Sequence, residues 1–258
     1  MKEKEISTLG ETLNELKKYI NNRLIVESDS PPVSLKRKKL SHGKTSEKRI
    51  KKIEKSLKDS FQDLGQLREL VHKCRKCELH KTKTNYVFGE GDPSARLMFI
   101  GEAPGYSEDI QGKPFVGRAG QLLDKILNAM GLDRNSVYIA NVLKCRPPNN
   151  RNPLPEEIEA CTDYVRIQIE LIKPSVICSL GLFAGQFLLD NPMLKMGEMR
   201  GKEFDYNGIP VIPTYHPAYL LRNPSQKKVV WDDMIKIMKL LGIKNKYTAG
   251  AKDSEDQI

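Results

Sequence analysis

The chain predicts an α/β fold, a parallel sheet covered by helices on both faces. The first observation behind this is four short apolar, partly β-branched runs: Leu97–Ile100, Val137–Val142, Ser175–Leu180 and Ile209–Pro213. The second is that helical periodicity separates them, over Ala119–Met130, Pro155–Ile172 and Leu182–Leu189, and again over Lys227–Leu241. Strands that alternate with helices of this length pair in parallel and bury both faces. The third is where the odd residues fall. The segments that follow the strands carry Gly, Pro, His and carboxylates, and ligands of parallel sheets bind at the carboxyl ends of their strands.

The 258 residues suffice for one large domain plus an extension. No apolar run approaches the roughly 20 residues of a membrane span. The first residues, MKEKEISTLGETLNEL, are charged and amphipathic and do not resemble a secretory signal. These features predict a soluble, cytoplasmic, nucleoid-associated protein with no membrane partner. The net charge of +10 favours a polyanionic partner. Most of that excess lies in residues 1–73, with KRKK at Lys36–Lys39 and KRIKK at Lys48–Lys52. Residues 6–26 and 47–71 have helix-like spacing, broken by Asp29–Pro32. Residues 1–70 therefore read as a basic extension, partly helical or disordered, and either a solvated tail or a DNA-binding arm. From residue 71 to about 243 the composition is that of a compact domain, and 244–258 reads as a flexible tail.

Four of the five cysteines form a pattern. Cys74 and Cys77 stand as C-x2-C in VHKCRKCELHK, Cys145 lies in NVLKCRPPNNRNP, and Cys161 lies in EEIEACTDY. Cys178, inside the run SVICSLG, reads as a small buried hydrophobe. Two thiolates from a tight turn and two from distant segments offer four soft ligands, which suits zinc or an iron–sulfur cluster. Disulfides are disfavoured in an intracellular chain. His72 and His80 are near enough in sequence to be ligands, but with four cysteines present they read as exposed or DNA-facing.

The loop GEAPGYSEDIQGKPFVGRAGQLLD opens at Gly101. It offers backbone N–H groups after Gly101, carboxylates at Glu102, Glu108 and Asp109, and the aromatic Phe115. The second strand runs into Asn141, and TYHPAYLLRNP places His216 before Pro217. Together these supply an aromatic plate, a carboxamide, an imidazole and acids, the parts needed to hold a planar polar heterocycle. Each has an ordinary structural reading as well: Phe115 as core, Asn141 as a turn cap, His216 as a satisfied structural histidine, Glu102 as a brace for neighbouring N–H groups.

GEAPG, GKPFVGRAGQLLD, NVLKCRPP and HPAYLLRNP resemble the motifs of family 4 uracil-DNA glycosylases, the iron–sulfur members of that superfamily. The resemblance runs from about Cys74 to Leu241 and does not reach residues 1–70. It implies a three-layer α/β/α sandwich with a central parallel four-stranded sheet. It also implies a 4Fe–4S cluster on Cys74, Cys77, Cys145 and Cys161, with zinc as the alternative. The activity implied is excision of uracil from single- or double-stranded DNA, by a monomer. Replication or repair proteins would be reached through the N-terminal extension. By the same resemblance Phe115 stacks on uracil, Gly101 and Ala103 line its pocket, and Asn141 reads the O4 and N3 edge. His216 donates to O2, and Glu102 or Glu108 activates water. A related family carries Asp where this chain has Ala103, and Tyr where it has Gly105. The usual base and the usual wall against thymine are therefore missing from those positions, and Glu108 or a neighbouring residue is expected to fill the second. Leu220 is expected to wedge into the base stack and Arg222 to hold a phosphate, while the cluster loop presents Lys144, Arg146 and Arg151 to DNA. Two other functions remain compatible with the sequence, a relative with broader deaminated-base specificity and a nucleic-acid-binding module with weak or lost catalysis.

Overall fold

The computed structural model describes residues 63–244. The basic runs, the first predicted helix, most of the second and the C-terminal residues 245–258 lie outside the described residues.

Within them the chain runs α1 (Leu64–His72), α2 (Leu79–Thr82), β1 (Glu90–Gly91), β2 (Leu97–Gly101), α3 (Tyr106–Gln111) and α4 (Arg118–Ala129). It continues through β3 (Tyr138–Asn141), α5 (Pro155–Ile172), β4 (Val176–Leu180), α6 (Leu182–Leu188) and α7 (Met196–Met199). Then come β5 (Phe204–Tyr206), β6 (Ile209–Thr214), α8 (Pro217–Arg222) and α9 (Lys227–Leu241). The strands form one sheet in the order β1-β3-β2-β4-β6-β5. Its inner four, β3-β2-β4-β6, are mutually parallel, as the sequence predicts. The edges β1 and β5 pair antiparallel and were not foreseen. They are two and three residues long, too short for a period-two pattern to be visible.

Every residue of β2, β3 and β4 is buried, the signature of a sheet covered on both faces. Alternation sorts the side chains. Leu97 and Phe99 pack with Leu123 and Leu127 of α4 and with Met234 and Ile237 of α9. Met98 and Ile100 pack on the opposite face with Val165 and Ile169 of α5 and Leu188 of α6. The result is the expected helix–sheet–helix layering. A third cluster joins Leu67 and Val71 of α1 to Leu143, Cys145, Cys161 and Tyr164. It ties the cysteine-bearing segments to the flank of α5, and Cys178 lies fully buried in β4, as expected.

Candidate active site

The parallel strands β3, β2, β4 and β6 point the same way, and the carboxyl ends of β2, β3 and β6 border a cleft of 440 Å³. Glu102, Ala103, Glu108, Phe115, Asn141 and His216 all line it. Gly101 and Asn141 are register partners on β2 and β3. A Cβ on Gly101 would overlap Asn141 Oδ1 and come within 2.6 Å of Phe115 Cζ. Only glycine there lets the carboxamide and the aromatic ring share the floor of the cleft.

Phe115 is buried, with a left-handed φ of 53°. A bulky residue avoids that region unless its surroundings impose it. Two side chains impose it here. Glu108 Oε1 accepts the N–H groups of Val116 and Gly117, each at 2.9 Å. Arg134 donates to the carbonyls of Pro114 and Phe115 and is itself held by Asp124 at 2.6 Å. Gly120, in the first turn of α4, leaves room for the Phe115 carbonyl, which a Cβ would overlap. Arg134 and Gly120 were missed from sequence, because nothing in DRNSV or RAGQ marks a side chain that reaches back to a loop. Asp109, buried, accepts the N–H groups of Thr84 and Asn85 and braces the other end of the loop.

Glu102 and Glu108 were both candidates to activate water, and the loop brace that was the structural alternative for Glu102 is made by Glu108. Burial alone raises the pKa of Glu102 to about 7, which leaves a carboxyl in the cleft able to exchange a proton near neutrality. Glu108 Oε2 also lies 2.8 Å from where a Cβ on Gly105 would stand, so its carboxylate occupies the space beside that glycine.

His216 caps α8: its Nδ1 accepts the Ala218 N–H at 3.1 Å. That bond leaves the ring proton on Nε2. Burial, with a smaller push from Arg222 and against the pull of Glu108, lowers its pKa to about 4. The imidazole is therefore a neutral donor at physiological pH. Its ring centroid lies 5.4 Å from that of Phe115. In the same cleft, the buried Oδ1 of Asn141 has no hydrogen-bond partner. An unpaired buried acceptor costs about 1–3 kcal/mol, and a ligand N–H removes that cost.

Two residues expected to meet DNA are turned inward. Lys144 is 1% exposed, and its Nζ donates to the Asn141 carbonyl at 2.7 Å and to Gln168 Oε1 at 2.6 Å. It is an internal strut that steadies the backbone of Asn141, out of reach of a phosphate. Leu220 is 1% exposed and packs in the core under α4 and α9. Pro217 and Leu220, three residues apart, form the inner face of α8, so the next residue, Leu221, points out at 38% exposure. Arg222, expected to hold a phosphate, is exposed and lines the cleft. Arg146 is half-buried, and Arg151 pairs with the buried Glu157 at 2.6 Å while also lining the cleft.

Cys74, Cys77, Cys145 and Cys161 line a single small cavity with His80, Tyr86 and Tyr164. All four are free thiols. Burial first, then the neighbouring thiols, push the Cys145 pKa far up, and burial raises that of Cys161 to about 11. Such thiols stay protonated at neutral pH until a bound metal displaces the protons. Four soft donors facing one space fit a thiolate-bound centre. Yet among the described residues no three His, Cys, Asp or Glu side chains are arranged to hold a single metal ion. His80 is half-buried beside the cysteines, its Nδ1 2.7 Å from the Cys77 carbonyl, and so is not exposed as expected. His72 is exposed, against Tyr86.

Comparison with known families places these features in a lineage. The pattern of the uracil DNA glycosylase superfamily matches residues 88–235. The type-4 uracil-DNA glycosylase of Archaeoglobus fulgidus is 48% identical over 193 residues, which cover 72% of this chain and 96% of the relative. That of Thermotoga maritima is 49% identical over 171 residues, covering 65% and 89%. That of Saccharolobus solfataricus is 47% identical over 190 residues, covering 70% and 88%.

Proposed function

Because the chain belongs to the uracil DNA glycosylase superfamily, we propose that its cleft receives a uracil flipped out of DNA and that it hydrolyses the N-glycosidic bond. The product is an abasic site, the substrate of base excision repair. The unpaired Oδ1 of Asn141 carries this reading. Uracil N3–H is the donor that acceptor lacks, and the O4 beside it takes the amide N–H. Cytosine offers an unprotonated N3 and an amino group on the same edge, so both contacts fail. Sites that leave polar groups unpaired in this way reject the wrong ligand by roughly 10⁴.

Phe115 supports the face of the ring. As the C1′–N1 bond breaks, its electron pair moves into the uracil ring and charge gathers on O2. The Nε2–H of His216 donates to that oxygen, and because the ring is neutral it stabilises charge without surrendering its proton. Water adds to C1′, and ionised Glu102 takes up its proton. Glu108 stands against C5, where thymine would carry its methyl group. Flipping the nucleotide costs a few kcal/mol, least for an unpaired base. Leu221 follows into the gap and Arg222 holds a neighbouring phosphate. Arg146 adds a basic contact at the rim.

Cys74, Cys77, Cys145 and Cys161 would hold a 4Fe–4S cluster. Zinc on the same four thiols is the alternative, and metal analysis separates the two. When bound, the cluster would supply a structural cross-link between the segment after α1 and the start of α5, since the hydrolysis moves no electrons. The enzyme acts as a monomer on single- or double-stranded uracil-containing DNA. The test incubates the purified chain with oligonucleotides carrying uracil, hypoxanthine or mispaired thymine and scores abasic sites. Release confined to uracil is expected. Equal release of hypoxanthine would make it a broad-specificity relative, and no release would leave only a binding protein.

A further inference from the structure

Tyr106 opens α3 beside Gly105, a cleft-lining residue, yet its side chain is turned out to 61% exposure. Ile110, one turn on and on the same face, is 49% exposed. Neither takes part in the apolar clusters of the described residues. The guanidinium carbon of Arg146 lies 5.1 Å from the centroid of the Tyr106 ring. Arg146 is held there, because its Nε donates to Asn150 Oδ1 at 2.7 Å. Asn149 and Asn150 both adopt left-handed φ, 55° and 54°, so this turn has a defined shape. Asn150 lines the cleft with its neighbours Pro147 and Arg151. An exposed ring with a fixed cation over one face therefore stands at the mouth of the base cleft.

We propose that Tyr106 and Arg146 form a stacking platform for an unpaired base next to the flipped nucleotide, and that they favour excision from single-stranded over paired DNA. The proposal rests on the uracil reading of the same cleft and extends it to the neighbouring nucleotide. Aromatic rings take any base face, and a guanidinium adds a contact for the adjoining phosphate. In a duplex the flanking base is already paired and stacked, so leaving for Tyr106 gains it little. In a single strand it is free to take the ring.

The full-length chain is compared with Tyr106→Ser and Tyr106→Phe for uracil release from a single strand and from the same strand in a duplex. A second oligonucleotide carries fluorescent 2-aminopurine beside a 2′-fluorinated, cleavage-resistant deoxyuridine, and stacking on the platform changes its emission. The single-strand-to-duplex ratio of kcat/KM should fall about tenfold in Tyr106→Ser, in line with the loss of one stacked base. The emission change should vanish with it, and Tyr106→Phe should restore both. An equal fall on both substrates would make Tyr106 a structural residue of α3 and overturn the platform, as would an unchanged ratio. If the unaltered chain released no uracil from either substrate, the glycosylase reading would fail instead, and the emission change alone would then decide the platform.

Discussion

Gly101 and Asn141 face each other across β2 and β3, and the volume a Gly101 side chain would need is already filled by the Asn141 carboxamide and the Phe115 ring. Gly101→Ala should therefore displace the two groups that bind the base while leaving the buried strand in place. Misplacing binding groups by about 1 Å can cost about 10² in rate. Single-turnover uracil release should fall by about that factor, with the thermal midpoint lowered by only the few degrees that mild overpacking brings. Release at the original rate would mean that Asn141 and Phe115 do not bind the base.

Glu102 and His216 carry opposite pH signatures. Glu102, with its pKa raised to about 7, gains its base form as the pH rises through neutrality, so single-turnover release should climb with an apparent pKa of about 7. Glu102→Gln should flatten that limb. His216, lowered to about 4, should contribute no limb between pH 5 and 8. The same two shifts make stability depend on pH. Between pH 4.5 and 7 folded Glu102 holds a proton the unfolded chain has lost, so its contribution weakens as pH rises. Below pH 6.5 unfolded His216 takes up a proton that the folded one refuses, so its contribution weakens as pH falls toward 4. His216→Ala should slow release about 10²–10³-fold with little change in DNA binding. A rate profile unchanged by Glu102→Gln would remove Glu102 as the base.

Lys144 and Arg222 should separate cleanly. Lys144→Met leaves the Asn141 carbonyl and Gln168 Oε1 unpaired in the interior, and chemical denaturation should show a loss of about 2–4 kcal/mol. Its salt dependence of DNA binding should match that of the unaltered chain. Arg222→Ala should keep stability and lower the salt slope by about one phosphate contact. The reverse pattern would return Lys144 to the DNA surface.

The cysteine centre is open to elemental analysis. Protein purified without oxygen should carry about four iron atoms per chain and absorb in the visible. Cys145→Ala should lose both, and should lower the thermal midpoint more than Cys178→Ala. Stoichiometric zinc with no iron would assign the site to a single-ion centre.

The layering of the fold was legible because β2, β3, β4 and β6 are apolar runs and α4, α5 and α9 keep a helical period across their length. The cleft residues were legible as residue types at strand ends. What the sequence did not carry is side-chain direction in short elements. Leu220 and Leu221 differ by one step on a six-residue helix, which turns one into the core and the other to solvent. Lys144 sits among basic residues beside Cys145, yet its partners, the Asn141 carbonyl and Gln168, include a residue on α5 that no local pattern connects to it. Arg134 acts across 19 residues of chain on Phe115, a relation that only the packed loop reveals.

The central claim is that the Asn141 carboxamide reads the uracil edge. Its most direct measurement is single-turnover release of uracil and of cytosine from matched single-stranded oligonucleotides, by the unaltered chain and by Asn141→Asp. The carboxylate of Asp accepts from the cytosine amino group, and it has no N–H to give uracil O4. The unaltered chain should release uracil alone. The variant should lose most uracil release and narrow the gap to cytosine from roughly 10⁴ by at least tenfold. Full uracil release with cytosine still rejected as before would show that Asn141 does not read the base.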